Sequence, residues 1–373
     1  MTKVILVTHF YPAHRGGVEI AAYNTAKILA ESGNFQIAWC AADCDKPPEN
    51  EYFFDYKPLN STNIIEKILP FPYPIISPLE KLKLWGVLKK TDVVHIHDFI
   101  YHSNLMAFFL AKMMKKKVIL TQHIGFIPYR NKVLRQVLTL INKTLGKFVI
   151  SRCDSAIFIS KSVMQYFSEI CSRNEHFVHI PNPLDISIFK PVDESSRIEL
   201  RQKLNLSEFT FLFVGRFTEK KGLEIIKIVA ENFPDCTFIM AGHGAINPKD
   251  WKLPNIHVLS DRKGSGISEL YSAADVLILP SYGEGFPLVV QEGIACGIDL
   301  IVSSEIVESE PDIRKFVNLV YNPSEKIEYF ISNIKEYLSN FKYNYDNRLS
   351  KYNFAIKKWS EETIMQDYKD IFN

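Results

Sequence analysis

The sequence has few cysteines and no excess of charge of either sign. Its six cysteines are scattered and include no CxxC pair, which is typical of a reducing compartment and disfavours a disulfide framework or a structural zinc site. Lysine and arginine number 44 against 42 aspartates and glutamates, giving a net charge of +2. Such a balance gives no indication of a nucleic acid partner.

Long apolar runs and low-complexity tracts are also missing. No run approaches the roughly 18 residues of a membrane span, and MTKVILVTHFYP at the amino terminus is too short for the core of a secretion signal. We therefore expect a cytoplasmic protein, and leave open a peripheral contact with the inner face of the membrane. At 373 residues and 47% hydrophobic content, the chain can form two domains, each with its own core.

Each half of the chain begins with the order strand, loop, helix. In the first half an apolar strand at residues 3–8 leads through Gly17 into helical spacing at 18–30, and in the second a strand at 210–214 leads through GRFTEKKG into a helix at 223–231. Other short buried strands are expected at residues 35–41, 92–96, 117–121, 155–160, 237–241, 257–259, 276–280 and 300–303. The pattern predicts an α/β protein with two doubly wound parallel sheets.

A proline-rich and polar segment, HIPNPLDISIFKPVDESS, is the best linker candidate. It places the domain boundary near residue 185, between domains 1–185 and 186–354. The last stretch, 355–373, has the spacing of an amphipathic helix with several large apolar residues. Because these need a partner, we expect the helix to dock on another part of the protein, with Trp359 as its anchor.

The segment LPSYGEGFPLVVQEGIACG places Pro287 at an expected first helical position, with Glu284 before the helix and Glu292 inside it. Acidic residues are so common that this spacing alone would indicate little. The whole string, however, resembles the EX7E segment of the family 4 retaining glycosyltransferases. Glu284 and Glu292 match its two glutamates, and the motif residues between them include Gly285, Phe286, Pro287 and Leu288.

This resemblance implies the GT-B fold, with two facing Rossmann-like domains and a nucleotide-sugar site in the cleft between them. It implies that residues 1–185, with 355–373, form the acceptor side and 186–354 the donor side. Glu284 is then a catalytic residue that meets the transferred sugar, and Glu292 reaches the ribose. The expected reaction moves a hexose with retention from a nucleotide diphosphate sugar, UDP by default, to a sugar or lipid-linked glycan, without a metal or other cofactor.

Two basic residues and two glycines are the candidates for phosphate contacts. In VGRFTEKKGLE, Arg216 and Lys221 lie between a strand and a helix, where cations and free helix amides can meet a diphosphate. Both resemble the family's phosphate-binding element, although a solvated cluster with Lys220 is the alternative. Gly16 and Gly17 precede a helix and let a ligand approach the backbone, or form only the turn that enters the helix.

Histidines follow two strands of the first half. In DVVHIHD, His97 matches a family histidine that faces the donor sugar, and TQHIGF suggests that His123 lies near the same site. Either could instead be a hydrogen-bonded core histidine. The chain departs from the family where Pro183 replaces glycine in IPNPLD, where His243 replaces an acidic residue, and where VSSEIVESEPD replaces a stretch with glycine and proline.

Several alternatives stay open. The aromatic, proline-rich segment 51–78 is either an acceptor or membrane-facing loop or a packed loop or hairpin. The DxD triplet at residues 43–45 is interpreted as chance, and His95, His97 and Asp98 lack a recognisable further metal ligand. Rival functions are a nucleotide-sugar epimerase of the same architecture and a non-catalytic nucleotide-sugar binder.

Overall fold

The computed structural model describes residues 1–14, 16–48, 54–64, 73–129, 131–206, 208–260, 262 and 264–372. It separates into two compact units. The first comprises Met1–Phe126, Arg130–Pro183 and Glu361–Asn373, and the second Ile127–Tyr129 and Leu184–Ser360. No helix among the described residues combines the length and the apolar character needed to cross a membrane.

The described part of the first unit contains a seven-stranded parallel sheet of order β3-β2-β1-β6-β7-β8-β9. Its strands are β1 Thr2–Val7, β2 Phe35–Ala42, β3 Phe54–Leu59, β6 Val93–His97, β7 Lys117–Gln122, β8 Ser155–Phe158 and β9 Phe177–His179, and a separate antiparallel pair is formed by β4 Ser61–Thr62 and β5 Ile75–Ile76. Its helices are α1 Gly17–Glu31, α2 Glu80–Leu88, α3 His102–Met113, α4 Lys132–Ile141, α5 Lys147–Ile150 and α6 Lys161–Ile170, with a π-helical turn at Asn142–Gly146. The central strands are apolar on both faces because helices cover both sides of the sheet.

The described part of the second unit contains a six-stranded parallel sheet of order β12-β11-β10-β13-β14-β15. Its strands are β10 Thr210–Val214, β11 Thr237–Ala241, β12 Ile256–Leu259, β13 Val276–Leu279, β14 Asp299–Ser303 and β15 Val317–Tyr321. Its helices are α7 Glu194–Lys203, α8 Leu223–Asn232, α9 Ser265–Ala273, α10 Leu288–Ala295, α11 Ser304–Ser309, α12 Ile327–Asn340 and α13 Tyr345–Trp359. The strand order reverses beside β10, and in the first sheet beside β1, which creates a switch point at the carboxyl edge of each sheet.

The carboxyl-terminal stretch forms two helices, α13 and α14 (Glu361–Phe372), rather than one. In α14, Tyr368 and Phe372 are each 2% exposed. The ring of Phe372 packs against that of Phe35 in the first unit, with 5.6 Å between the ring centroids. Trp359 instead lies in the core of the second unit, against Phe286. The expectation that Trp359 anchors the returning helix is therefore wrong, because α13 ends at Trp359 and Ser360 separates it from α14.

Segment 51–78 contributes an edge strand and a hairpin-like pair. β3 lies at the edge of the first sheet, where Pro58 costs little, and Ser61–Thr62 pairs antiparallel with Ile75–Ile76. Residues 51–53 and 65–72 of this segment lie outside the described residues. The described part thus has the ordered pairing that the hairpin alternative predicts.

Candidate active site

Two loops meet at the carboxyl edge of the second sheet, because β10 and β13 are neighbours. The lysine loop, residues 215–222, follows β10, and the glutamate loop, residues 280–287, follows β13. Gly222 ends the lysine loop with a φ of +72°, and a Cβ there would come within 2.2 Å of the Pro280 carbonyl oxygen. Only glycine therefore allows the two loops to approach so closely before α8 begins.

Hydrogen bonds join the two loops and hold the turn that carries Glu284. The Tyr282 amide donates to the Lys220 carbonyl oxygen at 2.9 Å. The Gly283 amide donates to Glu305 Oε2 at 2.6 Å, and its φ of +65° again favours glycine. Glu284 is thus fixed from the lysine loop on one side and from α11 on the other.

Glu284 lies among three cations. Its Oε1 is 2.9 Å from Lys221 Nζ and 3.7 Å from Lys220 Nζ, and its side chain is 14% exposed. Burial alone would raise the pKa of the Glu284 carboxyl, but the charges of Lys220, Lys221 and Arg216 outweigh it and hold the pKa below its usual value. The negative charge of Glu284 would raise the pKa of Lys220. Burial and the charges of Lys221 and Arg216 together outweigh that effect, and the pKa of Lys220 is lowered. Even with the carboxyl group of Glu305 nearby, the three cations around Glu284 leave a positive surplus suited to an anionic ligand.

Glu292 has a different environment. It lies inside α10, and Tyr271 Oη donates a hydrogen bond to its Oε2 at 2.9 Å. Burial raises the pKa of the Glu292 carboxyl to about 7, so near neutrality this group can both donate and accept hydrogen bonds. Pro287 is the N-cap of α10 and not its first residue; its extended ψ delays the helix by one position.

The residues between the two glutamates divide into core and surface. Phe286 is 3% exposed and its ring lies 5.7 Å from that of Trp359, so only its backbone remains for contact with a ligand. Gly285 is buried beside it, whereas Leu288 is partly exposed and opens α10. Helix geometry leaves the first amides of α10 without helical partners, and these can meet a polar ligand.

In the first unit, the two predicted histidines are in contact. His97 ends β6, His123 follows β7, and their rings meet at 2.9 Å between His97 Nδ1 and His123 Nε2. Burial lowers the pKa of His97 well below its usual value and that of His123 to about 3, so both rings are neutral. His97 Nε2 has no hydrogen-bond partner among the described residues. It is therefore the ring nitrogen that can bind a hydroxyl group.

Asp98 supports this pair. It has a φ of +62°, and its Oδ1 accepts a hydrogen bond from the His123 amide at 2.7 Å. Burial raises the pKa of the Asp98 carboxyl to about 7. The hydrogen bond to the buried carboxyl holds the loop that carries His123 against the end of β6 and keeps Asp98 in its left-handed conformation.

Gly16 and Gly17 begin α1, but they differ in surroundings. A Cβ on Gly16 would lie 2.0 Å from Glu19 Oε2, whereas a Cβ on Gly17 meets nothing within 4 Å. Glu19 thus occupies the space over Gly16, and its Oε1 is 2.9 Å from His9 Nε2. Of these two glycines, Gly17 is the one beside which the described residues leave space for a ligand.

Sequence reasoning missed His9, Glu19, Tyr271 and Glu305. Glu19 had a signal, since an acidic residue two positions after a helix-opening glycine lies near the helix amides. Tyr271 and Glu305 had none, because their roles depend on contacts between distant segments. No group of three or more His, Cys, Asp or Glu residues in the described ranges could hold a metal ion.

Family models match both halves of the chain. Residues 15–188 match the model described as Glycosyltransferase Family 4, and residues 196–355 match Glycosyl transferases group 1. An uncharacterized glycosyltransferase of Methanocaldococcus jannaschii is 24% identical over 389 residues, covering 99% of this chain and 98% of that protein. Together the two models leave few residues unmatched.

A second relative and a solved structure agree with these matches. The alpha-galactosylglucosyldiacylglycerol synthase of Streptococcus pneumoniae is 24% identical over 307 residues, covering 76% of this chain and 77% of that protein. The crystal structure of Anabaena HepE in complex with UDP-glucose has a TM-score of 0.77 at 16% identity, covering 100% of this chain and 99% of that chain. The chain belongs to the family 4 glycosyltransferases and has the GT-B fold.

Proposed function

We propose that the chain moves a hexose from a UDP-linked donor, with retention of configuration, to a sugar or lipid-linked glycan. The observation that carries this proposal is the cluster of Arg216, Lys220 and Lys221 around Glu284. It combines a surplus of positive charge, suited to a diphosphate, with an ionised carboxylate suited to sugar hydroxyls. The donor diphosphate binds the cations and the α8 amides, and Glu284 binds the hexose.

Front-face attack accounts for retention. The bond from the anomeric carbon to the diphosphate oxygen breaks while the acceptor oxygen forms its bond on the same face. The acceptor proton passes to the departing phosphate oxygen, whose growing charge Arg216 and Lys221 stabilise. Glu284 orients the hexose, since the lysines that hold it ionised also weaken it as a nucleophile.

The other candidate residues have binding roles in this proposal. Glu292 hydrogen-bonds the ribose, for which a carboxyl with a pKa of about 7 is suitable. Neutral His97 binds a sugar hydroxyl through Nε2, and His123 fixes its ring. No step requires a metal, because the cations of the lysine loop supply the charge that a divalent ion would otherwise provide.

The names of two similar proteins support the proposed classes of donor and acceptor. The solved Anabaena protein carries UDP-glucose, which favours UDP as the nucleotide. The streptococcal relative is named for a diacylglycerol product, which favours an acceptor with a lipid part. A peripheral position at the inner face of the membrane is consistent with such an acceptor.

A thermal-shift panel of UDP, GDP and ADP tests the nucleotide. A ligand at 100 times its dissociation constant adds about 2.7 kcal/mol to the free energy of unfolding, and we expect this gain for UDP alone. Equal shifts for all three nucleotides would contradict the UDP assignment.

Incubation with UDP-hexoses separates transfer from its rivals. An epimerase converts the donor without an acceptor, and a non-catalytic binder leaves it intact under all conditions. A transferase consumes it when the acceptor is present, and proton NMR of the product reads the anomeric configuration. We expect an α-linked product from an α-linked donor; a β-linked product would overturn retention.

A further inference from the structure

Three residues from the first half of the sequence belong to the second unit. The chain leaves the first unit after Phe126 and contributes Ile127, Pro128 and Tyr129 to the second. All three residues are partly buried, and none of them lies in a helix or strand. We call residues 127–129 the Tyr129 segment. Because residues on loops often bind ligands when a rigid scaffold positions them, the contacts of this segment bear on the active site.

Ile127 packs on the turn that precedes Glu284. A Cβ built on Gly283 would lie 2.6 Å from Ile127 Cγ2 and 3.3 Å from Ile127 Cα, so the glutamate loop touches the Tyr129 segment directly. The amide of the same glycine donates a hydrogen bond to Glu305 Oε2. The turn is thus in contact with both the Tyr129 segment and α11.

A tight turn fixes the position of Tyr129 relative to Ile127. The Tyr129 amide donates a hydrogen bond to the Ile127 carbonyl oxygen at 2.9 Å, which closes a turn of three residues. Pro128 is the central residue of this turn, and its ring restricts φ to a narrow range. Since Ile127 lies on Gly283, the turn holds Tyr129 close to the glutamate loop.

The Tyr129 hydroxyl is close to two charged groups of the candidate site. Burial raises its pKa, the positive charge of Arg216 opposes this rise, and the negative charge of Glu284 adds to it. With a raised pKa the hydroxyl keeps its proton near neutrality and can donate a hydrogen bond. It makes no hydrogen bond to Arg216 or to Glu284, so a ligand that contacts both groups can accept one from it.

We infer that the Tyr129 hydroxyl donates a hydrogen bond to the donor phosphate that is bonded to the hexose. The inference rests on the proposed function, in which Arg216 binds the diphosphate and Glu284 the hexose. The bond between these two parts of the donor is the one that breaks, and a group close to both residues lies beside it. Tyr129 is therefore a further substrate-binding residue, on a segment distant in sequence from the lysine and glutamate loops.

The hydroxyl assists the reaction without changing its proton balance. As the bond from the anomeric carbon breaks, negative charge grows on the departing phosphate oxygen, and a hydrogen bond from Tyr129 stabilises that charge. The acceptor hydroxyl supplies the proton that this phosphate receives, so Tyr129 keeps its own proton throughout. An uncharged donor at this position complements the cations of the lysine loop.

Calorimetric titration of Tyr129→Phe tests the inference, because the substitution removes the hydroxyl and keeps the ring. The probes are UDP, GDP and ADP, together with UMP, GMP and AMP, which lack the distal phosphate. We expect the affinity for the nucleoside diphosphate that binds the wild type to fall about tenfold or more. The affinity for the corresponding monophosphate should stay the same. Tyr329→Phe, at a residue 57% exposed on α12 of the second unit, is the matched control and should bind as the wild type does.

Two results would overturn the inference. Unchanged affinity of Tyr129→Phe for the diphosphate would show that the hydroxyl does not contact the donor phosphates, and a lower melting temperature of this unliganded variant would then assign Tyr129 to packing. An equal loss of affinity for the diphosphate and the monophosphate would place the hydroxyl at the other phosphate.

The results that refute the proposed donor are different. Binding of GDP or ADP in place of UDP, weakened by Tyr129→Phe, would refute UDP as the donor nucleotide and support the assignment of Tyr129. Binding of UDP that is weakened by Lys221→Ala but not by Tyr129→Phe would refute the inference and leave the proposed function in place.

Discussion

The carboxyl edges of the two sheets occupy the same place in related topologies but differ in chemistry. In the second unit, Glu284 and Lys221 form an ion pair whose side chains are both 14% exposed. In the first unit, His97 and His123 are fully buried and their pKa values are lowered by burial. We call the edge with Glu284 the charged edge and the edge with the two uncharged histidines the neutral edge, although the buried carboxylate of Glu19 lies near those histidines.

The difference follows from the groups that surround the ionisable side chains at each edge. The lysine loop places Lys220, Lys221 and Arg216 beside Glu284, and their charges hold its carboxyl ionised. At the edge around β6 and β7, burial lowers the pKa values of His97 and His123, and both histidines therefore stay neutral. The same architecture thus suits the proposed phosphate ligand in the second unit and the proposed hydroxyl ligands in the first.

The largest expected effect is a loss of stability in the first unit but not in the second. Removing residues 361–373 deletes α14, whose Ile364, Tyr368 and Phe372 are buried in the first unit. At about 1.5–3 kcal/mol for each buried side chain, the loss is about 5–9 kcal/mol, comparable to the stability of a domain. Calorimetric unfolding should show that the first unit melts early while UDP still stabilises the second. An unchanged melting profile would show that α14 contributes nothing to the first unit.

The next effect concerns the charged edge. Glu284→Gln keeps the shape of the side chain but removes its negative charge, which accepts hydrogen bonds. We expect turnover to fall about 10- to 150-fold, which corresponds to about 1.5–3 kcal/mol of lost transition-state stabilisation. UDP affinity should change little, whereas Glu292→Gln should weaken UDP binding instead. Glu308→Gln, at an exposed residue of α11, is the control. Equal losses of turnover and affinity in both variants would contradict the assigned roles.

Glu292 links the site to the pH dependence of stability. Its folded pKa of about 7 lies above the usual 4.5 of a glutamate, so the carboxyl favours folding below pH 4.5 and loses that contribution as the pH rises through 7. The glutamine of the Glu292→Gln variant cannot ionise, so the variant does not lose stability in this way as the pH rises. Urea unfolding should show the variant gaining, relative to the wild type, up to about 3 kcal/mol between pH 5 and pH 8. Parallel pH profiles would mean that the Glu292 pKa is not raised.

The smallest expected effect lies at the neutral edge. His97→Asn removes one uncharged hydrogen bond to the substrate, which contributes about 0.5–1.5 kcal/mol. We expect kcat/KM to fall about 3- to 10-fold, with UDP binding unchanged. His257→Asn, at an exposed residue in β12, is the control for the substitution itself. A loss of UDP affinity at His97 would show that the neutral edge also contacts the nucleotide.

Much of this could be predicted from the sequence, because local patterns determine it. The strands at 210–214 and 237–241 have the predicted bounds, since continuous apolar runs between glycine loops have few other solutions. β3, β9 and β15 were not predicted, because strands at the edge of a sheet bury fewer side chains and have a weaker apolar signal. The contact of Glu305 with Gly283 and that of Tyr271 with Glu292 join distant segments, which no local pattern encodes.

The most direct measurement of the central claim is calorimetric titration of Lys221→Ala with UDP and with uridine. Charge-assisted contacts to phosphate contribute about 1.5–3 kcal/mol, so UDP affinity should fall at least about tenfold, and Arg216→Ala should behave alike. Uridine, which lacks phosphates, should bind the variants as it binds the wild type. Lys227→Ala is the control, at a residue 42% exposed on α8. Unchanged UDP affinity in the Lys221 and Arg216 variants would show that the cluster around Glu284 does not hold the donor.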